Sequence, residues 1–153
     1  MLFRSIASRG PQNYQLDASV GLSTAQAQGA RMANLNVVEI KAFVPARDFA
    51  LSKQFYQDAG FTMASDGHGV AYFHHGNASF LLQDFFDAGL ASNLQMHLLV
   101  EDVQAWRDQL MTRDIAGRYG VKIGPLVDQP WRMRDFFLYD PSGVLWLIAQ
   151  NTD

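Results

Sequence analysis

Cysteine is absent from this chain, so neither a disulfide nor a thiolate nucleophile or metal ligand belongs to its chemistry. No apolar run approaches the roughly 20 residues that a membrane-spanning helix needs. Charge is thin as well: 18% of residues are charged, and the net charge is −3, which is not the footprint of a nucleic-acid binder. There is no glycine-rich phosphate loop, and the spacing of Ser and His suggests no nucleophile–base pair. Hydrophobic residues make up 48% of 153 positions, enough for one domain to bury a sizeable core unaided. A cytoplasmic protein without nucleic-acid or membrane partners is expected.

The strongest local signal is Trp131 to Gln150. Two runs rich in Phe, Val, Ile, Leu and Trp, Met133 to Tyr139 and Val144 to Gln150, flank Asp-Pro-Ser-Gly. Pro141 sets φ for a turn, Asp140 can accept from the backbone ahead, and Gly143 tolerates a positive φ. This predicts a β-hairpin, too apolar to stand alone and therefore part of a larger sheet.

Residues 1–35 differ from the rest in being rich in Ser, Ala, Gln and Gly, with Asp17 the one acid. They read as an N-terminal extension, either without a function of its own or packed against a partner subunit. Asp17 or Ser23 is placed to cap a short helix through Met32, and Met32 would also serve as a start for the domain proper. The domain is expected over 36–153. Asn36 to Val44 alternates as a strand, and Asp48 caps a helix to about Ala59 that buries Leu51, Phe55 and Tyr56. Strand candidates follow at Phe61 to Ser65, Val70 to His74 and Ala78 to Gln83, then a linker from Phe85 to Asn93. The pattern then begins again. Leu94 to Val100 is a strand, and Asp102 caps a helix to about Arg113 with Val103, Trp106 and Leu110 inward. Strands at Gly120 to Val127, Met133 to Tyr139 and Val144 to Gln150 close the chain. The period is about 55 residues, with modules at about 37–87 and 94–150.

This duplicated βαβββ pattern resembles the vicinal oxygen chelate superfamily, which includes glyoxalase I, extradiol dioxygenases and the bleomycin-resistance proteins. The resemblance covers Val37 to Gln150. It is carried by Arg47-Asp48 through Phe55-Tyr56, by Val100-Glu101-Asp102-Val103, and by Asp128 to Phe136 followed by Asp140 to Gly143. Gln129-Pro130-Trp131 through Phe136 is similar to the bleomycin-resistance branch in particular, with Arg132 where Gly is common there. The resemblance implies an α+β fold whose two tandem βαβββ modules form an incomplete β-barrel cup, and a homodimer. It also implies metal-ligand positions at Lys41, Gln95, Leu147 and near Leu81, with Gln83 on the face of Leu81. A cation and two leucines are not ligands for a divalent ion, so no metal cofactor is expected. His74 and His75 point to opposite faces of a strand and cannot chelate together, and His68 sits in a turn.

What remains is a cup for a small aromatic or heterocyclic molecule. By parity, Glu39, Lys41 and Phe43 face inward with Gln95 and His97, and Phe73, Gln83 and Phe137 join them as ligand-binding candidates. Trp131 either closes over a ligand or packs in the core. Arg134 is either a pocket donor or an ion-pair partner, and Lys41 either meets the ligand or is neutralised by Glu39. No catalytic residue is assigned. The reading is metal-free binding, and by resemblance drug sequestration. The rival is a lyase or isomerase, or a dioxygenase-like enzyme, with His97 as general base; a regulatory pocket is a third possibility.

Overall fold

The computed structural model describes residues 32–153, and the helix expected to run through Met32 falls outside them. Contacts divide the chain into Met1–Asn36 and Val37–Asp153, and every regular element described belongs to the second unit. Its first module holds β1 (Phe43–Pro45), α1 (Phe49–Ala59), β2 (Thr62–Gly67), β3 (Val70–His75) and β4 (Ala78–Gln83). After α2 (Ala88–Asn93), the second module holds β5 (Gln95–Leu99), α3 (Val103–Thr112), α4 (Ile115–Tyr119), β6 (Val127–Gln129), β7 (Met133–Tyr139) and β8 (Leu145–Asn151). The duplication seen in the sequence is a duplication of topology. The sheets run β1-β4-β3-β2 and β5-β8-β7-β6, each with its first strand parallel to its last. Each sheet stays open, so the fold is α+β without a closed barrel.

Helices α1 and α3 start as their sequences dictate. The Asp48 carboxylate accepts from Leu51 N at 2.9 Å, and that of Asp102 from Ala105 N at 2.9 Å. Gly60, at φ 117°, ends α1 in a left-handed cap. The buried face of α1 is Ser52, Phe55, Tyr56 and Ala59, and Leu51 faces outward instead of inward. α1 packs on β2 and β4, and α3 on β7 and β8. Trp146 of β8 joins the two modules, packing against Tyr56, Phe61 and Phe80 with ring centroids 5.2–5.7 Å apart.

Three local expectations differ from the structure. The strand of Asn36 to Val44 shrinks to Phe43–Pro45, because residues 37–42 find no continuous ladder; Val37, Val38 and Ile40 lie in solvent. The Phe85–Asn93 linker contains α2, capped by Asp87, which accepts from Leu90 N at 2.7 Å, and anchored by the buried Ala91. The strand expected from Gly120 to Val127 does not form as one piece: the chain leaves α4 at Tyr119 without joining the sheet. It then meets the sheet only through a bridge from Ile123 to Leu138 and through β6.

Candidate functional site

Because the helices cover one side of each sheet, strand alternation sends every second side chain to an open side. In the first sheet Val44, Leu82, Phe80, Ala71 and Phe73 are buried toward the helices. The opposite parity puts Phe43, Leu81 and Tyr72 in one row of the open face, with Ser79 and His74 in the next and Gln83 at its end. Glu39 and Lys41, on the extended segment before β1, reach this face. The Glu39 carboxylate accepts from the Ser79 hydroxyl and from that of Tyr72 at 3.4 Å. Lys41 forms an ion pair with Glu39, and its ammonium sits 4.9 Å from the Tyr72 ring centroid. The two charges therefore neutralise each other on the face.

The second sheet is built the same way. Its open rows are His97–Leu147–Phe137 and Gln95–Leu145–Tyr139. His97 and Phe137 are two strands apart, roughly 10 Å between Cα atoms, a span that a bicyclic ring system covers. Phe137 and Tyr139 meet edge to face at 5.8 Å. Gly124 lies beneath Phe137: a Cβ there would come within 2.4 Å of its ring. Farther out, Gln129 donates to the Asp135 carboxylate at 2.9 Å. Much of this surface is apolar yet solvent-exposed, 52% for Phe43, 53% for Leu99 and 36% for Phe137.

A cavity of about 770 Å³ opens where the β3–β4 turn meets β5 and the start of α3, and His97 lines it together with His75, Leu99, Glu101 and Trp106. His75 Nδ1 lies 3.0 Å from the Gly60 carbonyl, which only accepts, so Nδ1 donates. Its ring meets Trp106 edge-on at 4.9 Å.

The structure thus brings Glu39 to Lys41, and Gln95 and His97 to one face with Phe137. Among the described residues, no hydrogen bond, ion pair or aromatic contact joins the open face of one sheet to that of the other. Phe73 is not on the open face. It is fully buried, stacked on Phe80 at 5.4 Å, because its parity is that of Ala71 and the adjacent Tyr72 takes the open position. Arg134 likewise shares the helix-side parity of Phe136 and Leu138, and its Nε lies 3.5 Å from Asp128. Trp131 packs in no core: it is 62% exposed at the turn between β6 and β7, beside Arg132 at φ 60°. Tyr72, His74, Ser79 and Tyr139 occupy the open faces without having been singled out. Counting by twos from Leu81 and Phe137 would have found Ser79 and Tyr139, but Tyr72 and His74 needed the β3–β4 register.

The metal-ligand positions that the resemblance implies do not fit a metal here. Leu81 and Leu147 present hydrocarbon to the open faces, and Lys41 is a cation already paired with Glu39. Among the described residues no three His, Asp or Glu gather as a ligand set. Two perturbed titratable groups, Tyr56 and Asp140, lie elsewhere, in the core between modules. Asp140 Oδ2 takes the Tyr56 hydroxyl at 2.6 Å, and that hydroxyl accepts from Trp146 Nε1 at 3.1 Å. Burial raises the Asp140 carboxyl, only partly opposed by hydrogen bonds from Tyr56, Val144 and Ser142. Tyr56 is pushed well above its ordinary value, first by burial and then by the Asp140 charge. This cluster ties the modules together and touches neither open face.

The family model for the "Glyoxalase/Bleomycin resistance protein/Dioxygenase superfamily" matches residues 35–148. Among curated proteins, none matches the chain. Solved structures with this fold include a bleomycin-binding protein complexed with bleomycin, at 22% identity and TM-score 0.63, covering 75% of this chain and 99% of that one. An antibiotic binding protein from Streptomyces is 24% identical at TM-score 0.63, covering 78% of this chain and 100% of that one. A lactoylglutathione lyase from Agrobacterium tumefaciens is 16% identical at TM-score 0.57, covering 76% and 96%.

Proposed function

Since this chain belongs to the glyoxalase/bleomycin resistance protein/dioxygenase superfamily, we propose that it binds a small aromatic or heterocyclic molecule on its open sheet faces, without a divalent metal. Its role is drug sequestration in the cytoplasm. The observation that carries this reading is the second open face. Phe137, Tyr139, Leu145 and Leu147 present a flat apolar wall, and Gln95 and His97 supply polar groups along one edge. That mixture suits a planar ligand with a few hydrogen-bonding atoms. The donor set at Lys41, Leu81, Gln95 and Leu147 favours binding over metal-assisted turnover. The bleomycin complex and the antibiotic binding protein supply the ligand class, since their fold is shared. The homodimer is part of the same proposal, because a second copy would cover apolar faces that one copy leaves to water.

The test is a thermal-shift screen with bleomycin and planar heterocyclic antibiotics, followed by titration of the strongest hit. His97→Ala and Phe137→Ala should weaken that hit several-fold with the fold intact, and elemental analysis should find no stoichiometric divalent ion. Equal affinity in both variants would remove the open face as the site. One tightly bound Zn, Ni, Mn or Fe per subunit, or turnover of the hit abolished by His97→Ala, would make the protein an enzyme instead.

A further inference from the structure

We infer that the cleft beside the Asp140–Gly143 turn is a second binding site, for an aromatic carboxylate or phosphate monoester, which shares Tyr139 with the open face of the second sheet but not His97 or Phe137. The cleft has a volume of about 440 Å³ and is lined by Arg47, Lys122, Tyr139, Pro141 and Ser142 among others. That size suits a small ring with one acidic group.

Two cationic residues line this space, and among the described residues neither Arg47 nor Lys122 has an ion-pair partner. The Arg47 guanidinium lies 4.5 Å from the Phe86 ring centroid. A stacked guanidinium keeps its in-plane N–H donors for an oxyanion, which accepts two of them side by side. Asp140 is the single acid in the lining, and its carboxylate is spent inward. Oδ1 accepts from Ser142 N at 2.9 Å and Val144 N at 2.8 Å, and Oδ2 takes the Tyr56 hydroxyl. It neutralises neither cation. Ser142 Oγ accepts from Arg47 N at 2.9 Å, which leaves its own hydroxyl proton as a further donor. Two unpaired positive charges on a concave wall concentrate anions. Tyr139 and Pro141 supply the apolar surface that distinguishes an organic anion from an inorganic one. The site stands whether or not the open faces bind a drug.

The experiment is a chemical-shift titration of the full chain with phenyl phosphate, benzoate, benzyl alcohol and inorganic phosphate. Phenyl phosphate and benzoate should give saturable shifts at the amides of Arg47, Lys122 and Ser142. Arg47→Gln and Lys122→Gln should each weaken them about five-fold or more, as loss of a charge-assisted contact requires. Arg47→Lys, which keeps the charge and loses the fork, should also weaken phenyl phosphate, and it serves should Arg47→Gln not fold. No saturable shift with either organic anion, or unchanged affinity in the variants, overturns the site. Benzyl alcohol binding as well as benzoate overturns selection by charge. Inorganic phosphate binding as well as phenyl phosphate overturns the organic-anion assignment.

Discussion

Tyr56→Phe is the sharpest probe of how the two modules are joined. Tyr56, Asp140 and Trp146 are 1%, 3% and 4% exposed, so water cannot replace what the substitution removes. One hydroxyl makes two contacts across the module boundary: it donates to Asp140 Oδ2 at 2.6 Å and accepts from Trp146 Nε1 at 3.1 Å. Losing a hydrogen bond to a buried carboxylate costs about 1.5–3 kcal/mol, and stranding the indole N–H adds about 1–2 kcal/mol. The ring itself stays, packed on Phe55, Phe73 and Phe80, so little hydrophobic contribution is lost. A total of about 3–4 kcal/mol lowers Tm by roughly 10 °C in a chain of this size. The cost also depends on pH. Asp140 is raised in the folded state, so its contribution to stability is complete below the ordinary carboxylate value of 3.8 and is lost as pH rises through the folded value. The Tyr56 hydroxyl holds that folded value down, and removing it moves the loss to a higher pH for a carboxylate with one partner fewer. Tyr56→Phe should therefore cost more at pH 7 than at pH 4. Guanidinium unfolding at both values checks this. A cost under about 1 kcal/mol at pH 7, or a larger cost at pH 4, would refute the argument.

Gly143 sits at φ 92° and closes the turn, donating to the Asp140 carbonyl at 3.0 Å. A Cβ there would meet nothing within 4 Å, so Gly143→Val should cost about 1–2 kcal/mol through backbone strain alone, read from its melting curve. Gly124→Ala should instead drive the Phe137 ring from its seat, weakening a ligand of the second open face and shifting the Phe137 ring resonances. Light scattering at micromolar concentration should give twice the 17.1 kDa chain mass, and a value near one chain mass would count against the dimer.

The elements whose order and type were legible are those held by short-range chemistry. Asp48 and Asp102 cap helices because an Asp carboxylate reaches the N–H three residues on, and Asp140 to Gly143 turns because Pro, Asp and Gly have few alternatives there. The repeated order of strand and helix followed from these, and with it the family. Parity within one strand was legible too, as in Gln95 with His97. Which parity faces a helix was not, since that depends on the cross-strand register, and the register makes Tyr72 rather than Phe73 the neighbour of Leu81 on the open face. The same holds for Arg134, whose partner Asp128 arrives from another strand. Residues 37–42 carry the alternation of a strand but not its partner, because alternation records what a segment can pair with and only the tertiary structure supplies the neighbour. The pairing of Tyr56 with Asp140 spans 84 residues, and no local pattern encodes a contact at that separation.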